Sequence, residues 1–205
     1  ARVRTAEPEP TAVPEPLQVS VSGAPAGMAE SVQDACRLLL RGDSGEFTGA
    51  ADCVAAAMEA GTGAEQQVTT TASWLPPGTY TMQFRTAPEF AMELRSADGQ
   101  LHISVSGAGR TLRTGESETS ADPSGSAAEA YAAVLADAAE LTAHPDRLRS
   151  LVQTAGSVRA EYGVLYQGAP ATRLTAVVEP VNPGDFAGSI VLTLDDLYRP
   201  LLIDY

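Results

Sequence analysis

The stretch GTYTMQFRTAPEFAMELRSADGQLHISVS, residues 78–106, decides the fold of this chain. Apolar and polar side chains alternate strictly in three of its segments, residues 80–85, 90–95 and 101–106. A period of two is typical of β-strands that bury one face and expose the other. The sequence therefore predicts three amphipathic strands, whose apolar face carries Tyr80, Met82, Phe84, Phe90, Met92, Leu94, Leu101, Ile103 and Val105.

Turn-forming residues lie before and between the three segments. Pro76-Pro77-Gly78 precedes the first segment, Ala87-Pro88 follows it, and Asp98-Gly99 separates the second from the third. Pro presets a turn dihedral and Gly tolerates positive φ, so these positions favour tight reversals. We therefore predict an antiparallel meander. Its apolar face is either an ordinary core packed by helices or one wall of a ligand cavity.

The acidic composition excludes some classes of partner. The 205 residues include 26 Asp and Glu against 13 basic residues, which gives a net charge of −13. The phosphates of nucleic acids and of anionic lipids attract basic surfaces. We therefore expect no nucleic-acid partner and no electrostatic docking on anionic headgroups. No apolar run reaches the length of about 18 residues that a transmembrane helix needs.

The N-terminal residues differ in composition from the rest of the chain. Residues 1–17, ARVRTAEPEPTAVPEPL, are rich in Pro and Glu and poor in large apolar side chains. Such a segment buries too little apolar surface to fold and favours an extended, semi-rigid tether. We expect a disordered tether over residues 1–17 and a single domain over residues 18–205.

Two helices are predicted before the meander from apolar side chains at three- and four-residue spacing. They span residues 24–40 and 50–59, and they contain Cys36 and Cys53. A disulfide between these cysteines would join the two helices and contribute about 3 kcal/mol. Two buried free thiols fit the spacing equally well. We predict the oxidised pair.

Two further helices are predicted after the meander. Ser126 and Glu129 have the spacing of a capping box and begin a helix to about Leu141, and Pro145 suits the first position of the next helix. The apolar stripe of the first helix is predicted to carry Tyr131, Val134, Leu135, Ala138 and Leu141. That of the second is predicted to carry Leu148, Leu151, Val152 and Ala155. The polar segment 114–126 before them is predicted to be a long loop that forms a lid.

The last part of the chain is again predicted to be β. Alternation over residues 158–166 and 172–178 flanks the turn Gln167-Gly168-Ala169-Pro170, and further strands are expected at 190–194 and from Pro200 onward. This order of elements predicts an α+β fold. We expect one large antiparallel sheet, extended by the second β segment and covered on one face by helices.

This second half resembles the bacterial lipoprotein-carrier (LolA-like) superfamily, in particular the LprG/LppX-type envelope lipoproteins. The hairpin Gly168-Ala169-Pro170-Ala171-Thr172-Arg173-Leu174 is similar to the family's G-V-x-A-T-x-Y/L hairpin. The segment from Ile190 to Pro200 is similar to its V-W-L-D-x-x-x-R/L-P strand and turn. The likeness covers roughly residues 64–205 by the order of elements.

The resemblance implies a half-barrel, in which a curved antiparallel sheet holds helices on its concave face and an apolar cavity between them accepts acyl chains. It also implies export, a lipid anchor upstream of Ala1, and a place at the outer face of a membrane in the cell envelope. We therefore predict a carrier of acylated lipids, glycolipids or lipoproteins, with loop 114–125 gating entry. The lipid-binding residues are predicted to be Tyr80, Met82, Phe84, Phe90, Met92, Leu94, Leu101, Ile103 and Val105 on the sheet and Tyr131, Leu135, Leu148, Leu151 and Val152 on the helices.

Residues suited to catalysis are scattered. His102 and His144, with the two cysteines, show no metal-ligand spacing, and no nucleophile motif surrounds them. We predict no enzyme, no metal and no cofactor. Two other functions stay open, a non-enzymatic envelope sensor or protein-interaction module of the same fold, and a structural envelope domain. An exposed apolar patch or strand edge over a filled interior favours protein binding, whereas a continuous internal void favours lipid.

Overall fold

The computed structural model of the chain describes residues 26–40, 49–70, 75–180, 182–183 and 188–205. The predicted tether lies outside these residues. The helices and strands are α1 (Glu30–Ala35), α2 (Arg37–Leu40), α3 (Ala50–Ala60), β1 (Gly63–Thr70), β2 (Gly78–Arg85), β3 (Ala91–Ser96), β4 (Leu101–Ser106), β5 (Gly109–Thr114), β6 (Ser117–Ser120), α4 (Ala127–Glu140), α5 (Pro145–Gln153), β7 (Ala155–Tyr166), β8 (Ala169–Val178), β9 (Gly188–Leu194) and β10 (Pro200–Asp204).

The strands form two antiparallel sheets. The first sheet contains β1 to β6 in chain order, and the second contains β10, β9, β8 and β7. The predicted α+β class is confirmed, with an open sheet that does not close into a barrel, consistent with a half-barrel. The expectation that the later strands extend the same sheet is wrong, because β7 pairs with β8 alone in the described part of the chain.

The three amphipathic strands of the meander are confirmed as β2, β3 and β4. Their register aligns Met82 with Leu94 and Leu94 with Ile103, and β5 continues this row with Leu112. All four side chains are buried. Because cross-strand neighbours on one face touch, this row makes a continuous apolar surface across the middle of the first sheet.

Helix α4 covers this apolar surface. Its N-terminus has the predicted capping box, in which the backbone N–H of Glu129 donates to Ser126 Oγ and the backbone N–H of Ser126 donates to Glu129 Oε2 at 2.7 Å. Together with the apolar side chains of the first sheet, α4 forms the first core, to which it contributes Ala132, Leu135, Ala136 and Ala139.

The predicted apolar stripe of α4 is partly wrong. Tyr131 and Val134 are 49% and 56% exposed, although they are among the larger apolar side chains of the helix. The side of α4 that faces the sheet carries alanines instead. Their small side chains allow the helix to pack closely on the sheet, and this close packing excludes water from the interface. Leu135 is correctly predicted and is fully buried.

The predicted long loop over 114–126 is wrong for residues 117–120. These residues form β6, which pairs with β5 from Thr111↔Ser120 to Thr114↔Ser117. A tight turn at Gly115, with φ of +59°, connects the two strands. The segment SETS contains no apolar side chain, so its backbone hydrogen bonds and not a hydrophobic pattern make it a strand.

The remaining helices cover the inner face of the second sheet and form the second core with it. The predicted helix over 24–40 begins only at Glu30, because a turn with Gly27 at φ of +89° precedes it. It is interrupted at Cys36, whose ψ of 9° is not helical. The predicted helix over 50–59 is confirmed as α3. The second core contains Val32, Leu39, Cys36, Cys53, Val54, Met58, Leu148, Val152, Val158, Leu174, Ile190, Leu192 and Leu194, among others.

The predicted disulfide is confirmed. Cys36 and Cys53 are bonded, with a Cα–Cα distance of 4.5 Å, and both side chains are buried in the second core. The bond therefore joins the segment of α1 and α2 to α3. It fixes the helical cover of the second sheet at two points of the chain that are 17 residues apart.

Reduction of the disulfide should lower the free energy of unfolding by about 3 kcal/mol, because a reduced unfolded chain gains the entropy of an open loop. Chemical denaturation with and without reductant measures this difference. The double variant Cys36→Ser/Cys53→Ser serves as the control and should not respond to reductant. Two reactive thiols in the denatured, unreduced native protein would contradict the assignment.

The orientation of α4 can be tested with two neighbouring truncations. Leu135→Ala should lower the free energy of unfolding by about 2–5 kcal/mol, because it leaves a cavity in the first core. Val134→Ala, on the exposed side of the same turn, should change it by no more than about 0.5 kcal/mol. Equal losses in the two variants, measured by urea denaturation, would show that the helix is oriented differently.

Candidate functional site

The structure brings together most of the predicted lipid-binding residues. Of the nine on the meander, seven are buried in the first core and Phe84 and Phe90 pack against it, and Leu135 of α4 joins them. Leu148, Leu151 and Val152 lie instead with the second core. Tyr131 is half exposed. The sheet-side residues and three of the helix-side residues, which were predicted to line one cavity, therefore lie in two different cores.

At the centre of the predicted site, side chains of the protein pack against one another. Met82, Leu94 and Ile103 are nearly inaccessible to solvent, and the alanines of α4 and Leu135 lie over them. A buried cluster of this kind is what an ordinary core looks like. The observed packing thus favours the interpretation of the meander's apolar face as a core.

An open groove lies at one end of the first sheet. It has a volume of about 460 Å³, within the range of about 300–1,000 Å³ typical of ligand sites. Tyr80 and Leu101, two of the predicted lipid-binding residues, are part of its wall. The groove is lined by Pro76, Pro77, Gly78, Thr79, Tyr80, Ser96, Ala97, Asp98, Gln100, Leu101, Thr114 and Gly115.

Tyr80 and Asp98 set the electrostatics of the groove. Tyr80 donates its phenolic hydrogen to the carbonyl oxygen of Pro76, and burial raises the pKa of Tyr80, helped by the charge of Asp98 and by Tyr131. Asp98 accepts from Ser96 Oγ and, at 3.0 Å, from the backbone N–H of Gln100, and these bonds lower its pKa. The groove therefore combines a neutral phenol inside with a carboxylate at its rim.

The outer face of the first sheet, on the side away from α4, is polar. One cross-strand row on it contains Thr81, Arg95, His102, Arg113 and Glu118. Within the described residues, His102 Nε2 is buried without a hydrogen-bond partner and lies 3.8 Å from Glu93 Oε2. Burial lowers the pKa of His102, and Arg95 adds to this effect while Glu93 opposes it. The face is well solvated and offers no apolar docking surface.

The outer face of the second sheet is different, and sequence reasoning missed it. Leu174 and Ala176 of β8 and Ile190 and Leu192 of β9 point into the second core, so the residues between them face outward. We call four residues on this side and at its edge the outer patch. They are Val177, 47% exposed, Val191, half-buried, and Leu201 and Leu202, 46% and 44% exposed.

A sequence signal for the outer patch exists. Val177-Val178, Val191-Leu192 and Leu201-Leu202 are adjacent apolar pairs, which break the period-two alternation expected of a strand with one wet face. In each of the first two pairs one side chain enters the second core and the other faces outward. Strands that are apolar on both sides indicate a sheet whose second face also makes contacts.

A cluster of ion pairs joins α4, α5 and β5. Glu140 is 4% exposed, and its carboxylate lies 3.3 Å from Arg110 Nε and 3.1 Å from Arg147 Nη2. Asp137 contacts the same two guanidinium groups, at 3.0 Å in the case of Arg147. The partners compensate the buried charge of Glu140, so the cluster has the properties of a structural joint.

Comparison of the chain with protein-family models, with curated proteins and with solved structures found no match. The resemblance to the lipoprotein-carrier superfamily therefore stays a prediction. No group of three or more His, Cys, Asp or Glu side chains in the described part of the chain is arranged to hold a metal. Within the same residues, no helix is both long and apolar enough to cross a membrane.

His102, which is half-buried with its Nε2 atom inaccessible to solvent, should make stability depend on pH. Its pKa in the folded protein is lower than its usual value of 6.5, so the unfolded chain binds the proton more readily. The stabilisation is complete above about pH 6.5 and is lost as the pH falls through the folded-state pKa. The free energy of unfolding of the native protein minus that of His102→Gln should therefore decrease from about pH 8 to about pH 5. A difference that is constant with pH in urea titrations would contradict this.

Proposed function

We propose that this chain is an extracytoplasmic, non-enzymatic protein-interaction domain that binds a partner protein through the outer patch of its second sheet. The observation that carries the proposal is the exposure of Val177, Leu201 and Leu202 on a sheet whose inner face is already filled by helices. In the register, Val191 lies diagonally between Val177 and Leu202. Exposed apolar side chains that lie together on a protein surface are typical of protein–protein contacts.

The contrast between the two sheets supports the choice of surface. Each sheet packs its inner face on helices, so a solvated outer face is the arrangement expected for both. The first sheet follows this rule, with Thr81, Gln83 and Arg95 on its outer face. The second sheet departs from it at the outer patch. A departure of this kind in one sheet only favours a contact made by that sheet.

The disulfide supports an extracytoplasmic location. Buried disulfides form and persist in oxidising compartments and are rare in reducing ones. The bond between Cys36 and Cys53 lies inside the second core and so belongs to the folded structure. An envelope location is also what the resemblance to the lipoprotein-carrier superfamily implies.

A second candidate function is the binding of one acylated molecule in the groove at the end of the first sheet. The volume of the groove and the presence of Tyr80 and Leu101 in its wall favour this alternative. Such a ligand would lie at the rim of the sheet and not between the sheet and α4. Its burial would contribute about 0.8 kcal/mol for each CH₂ group removed from water.

One cross-linking experiment separates the two functions. A photoreactive amino acid is placed singly at Val177 in the outer patch, at Ala97 in the groove, and at Thr81 on the polar outer face of the first sheet as the matched control. All three positions are exposed or partly exposed. After irradiation in the native host, we expect a covalent adduct with a protein at Val177 and none at Thr81.

The mass of each adduct shows whether a protein or a lipid was bound at that position, and so distinguishes the two functions. A protein adduct at Val177, either with another protein or with a second copy of this chain, agrees with the proposed function. A lipid adduct at Ala97 without a protein adduct at Val177 would replace it by the second candidate. Equal protein adducts at Val177 and Thr81 would mean random collisions and would contradict the outer patch as a specific surface.

A further inference from the structure

We propose that the outer face of the second sheet binds a second copy of this chain, so that two sheets pack face to face around a twofold axis. This inference rests on the proposed function and names its partner. The reason is the distribution of charge across the face, which is complementary to itself. A twofold contact requires such self-complementarity, because the same surface serves on both sides.

One cross-strand row carries the argument. The register aligns Asp204 of β10 with Val191, Val191 with Thr175 of β8, and Thr175 with Arg159 of β7. The row thus has a carboxylate at one edge of the sheet and a guanidinium at the other. With a strand spacing of about 4.8 Å, the two charges are about 14 Å apart within one chain and do not pair with each other.

Both charges at the ends of this row are available for a partner. Asp204 and Arg159 are exposed, and neither forms an ion pair with any residue that the structure describes. The neighbouring pair Arg173 and Glu161, 3.8 Å apart, is internally neutral. A partner of the right geometry therefore gains two new ion pairs without breaking one that already exists.

A twofold axis parallel to the strands meets this requirement. It places β10 of one copy over β7 of the other, so Asp204 faces the second copy's Arg159 and the reverse contact forms on the other side. Stacked sheets lie about 10 Å apart, a gap that an Arg and an Asp side chain bridge together. A twofold axis across the strands would instead place Asp204 of one copy over Asp204 of the other, where like charges repel.

The size of the face predicts a weak dimer. Strands of about seven residues in a sheet of this width cover about 440 Å² in each copy, or about 900 Å² in total. Stable complexes bury at least about 1,200 Å², so the association should be transient. At about 0.15 M salt the Debye length is about 8 Å, which screens the general repulsion between two acidic molecules but not a direct contact.

A charge exchange tests the geometry in solution. Arg159→Asp alone creates two contacts between carboxylates, and Asp204→Arg alone creates two between guanidinium groups. Each variant should therefore associate about tenfold or more weakly than the native chain. An equimolar mixture of the two variants restores both opposite-charge contacts and should form a heterodimer. Arg113→Asp, the same exchange on the outer face of the first sheet, is the matched control.

Sedimentation equilibrium of the full chain, from about 10 µM to about 1 mM, measures association in the range expected for this area. Circular dichroism confirms that each variant is folded. Self-association of the native chain and of Arg113→Asp, its loss in each single variant and its recovery in the mixture would support the twofold contact.

Three results would overturn the inference. They are a native chain that stays monomeric at about 1 mM, single variants that associate like the native chain, and a mixture that does not recover association. If a monomeric native chain still forms a protein adduct at Val177 in the host, the second copy is the wrong partner while the proposed function stands. If Val177 forms no protein adduct, the proposed function itself fails.

Discussion

The connection between the two cores depends on a cluster of ion pairs around a buried carboxylate. Glu140 at the end of α4 lies between Arg110 of β5 and Arg147 of α5, with one carboxylate oxygen directed to each. Loss of either arginine would leave the buried carboxylate with one guanidinium partner and should destabilise the folded protein. The ion pairs therefore connect α4, which covers the first sheet, with α5, which covers the second.

Apolar and backbone contacts reinforce this connection from the other side of the chain. Phe84 at the end of β2 packs against both cores. Next to it, the backbone N–H of Thr86 donates to the carbonyl oxygen of Thr62 at 3.0 Å, and this bond ties the end of β2 to the turn after α3. Each core is organised around its own sheet. The contacts of Phe84 and the hydrogen bond of Thr86 join the two cores to each other.

The sequence determined those parts of the fold that local patterns encode. Alternation predicted β2, β3 and β4, and the Ser126–Glu129 spacing predicted the start of α4. It did not predict β6, because Ser and Thr give no hydrophobic pattern. It also did not predict which face of α4 is buried, because Ala is found both in cores and on surfaces, and here the close packing against the sheet selects the buried face. The division into two sheets depends on strand pairing over long distances, which no local pattern contains.

The candidate site was predictable to a smaller extent. Tyr80 and Leu101 were correctly placed on the apolar face of the meander, but whether a helix or a ligand covers that face depends on the fit of α4, a tertiary property. The outer patch was overlooked because period-two reasoning assigns the outward residue of each strand to water. In an adjacent pair such as Val177-Val178 one side chain enters the second core while the other is exposed, so the outward residue of a strand need not be polar.

The disulfide and the outer patch are connected through the rigidity of the second sheet. The bond from Cys36 to Cys53 holds α1, α2 and α3 on the inner face, so that face cannot open to receive a ligand without disrupting the second core. The proposed partner would then bind the outer face, whose strands are already fixed in position by the packing behind them. A surface fixed in this way loses little conformational entropy on association. Preorganisation of this kind would allow the proposed contact of small area, with two charges and a few apolar side chains, to be specific although it is weak.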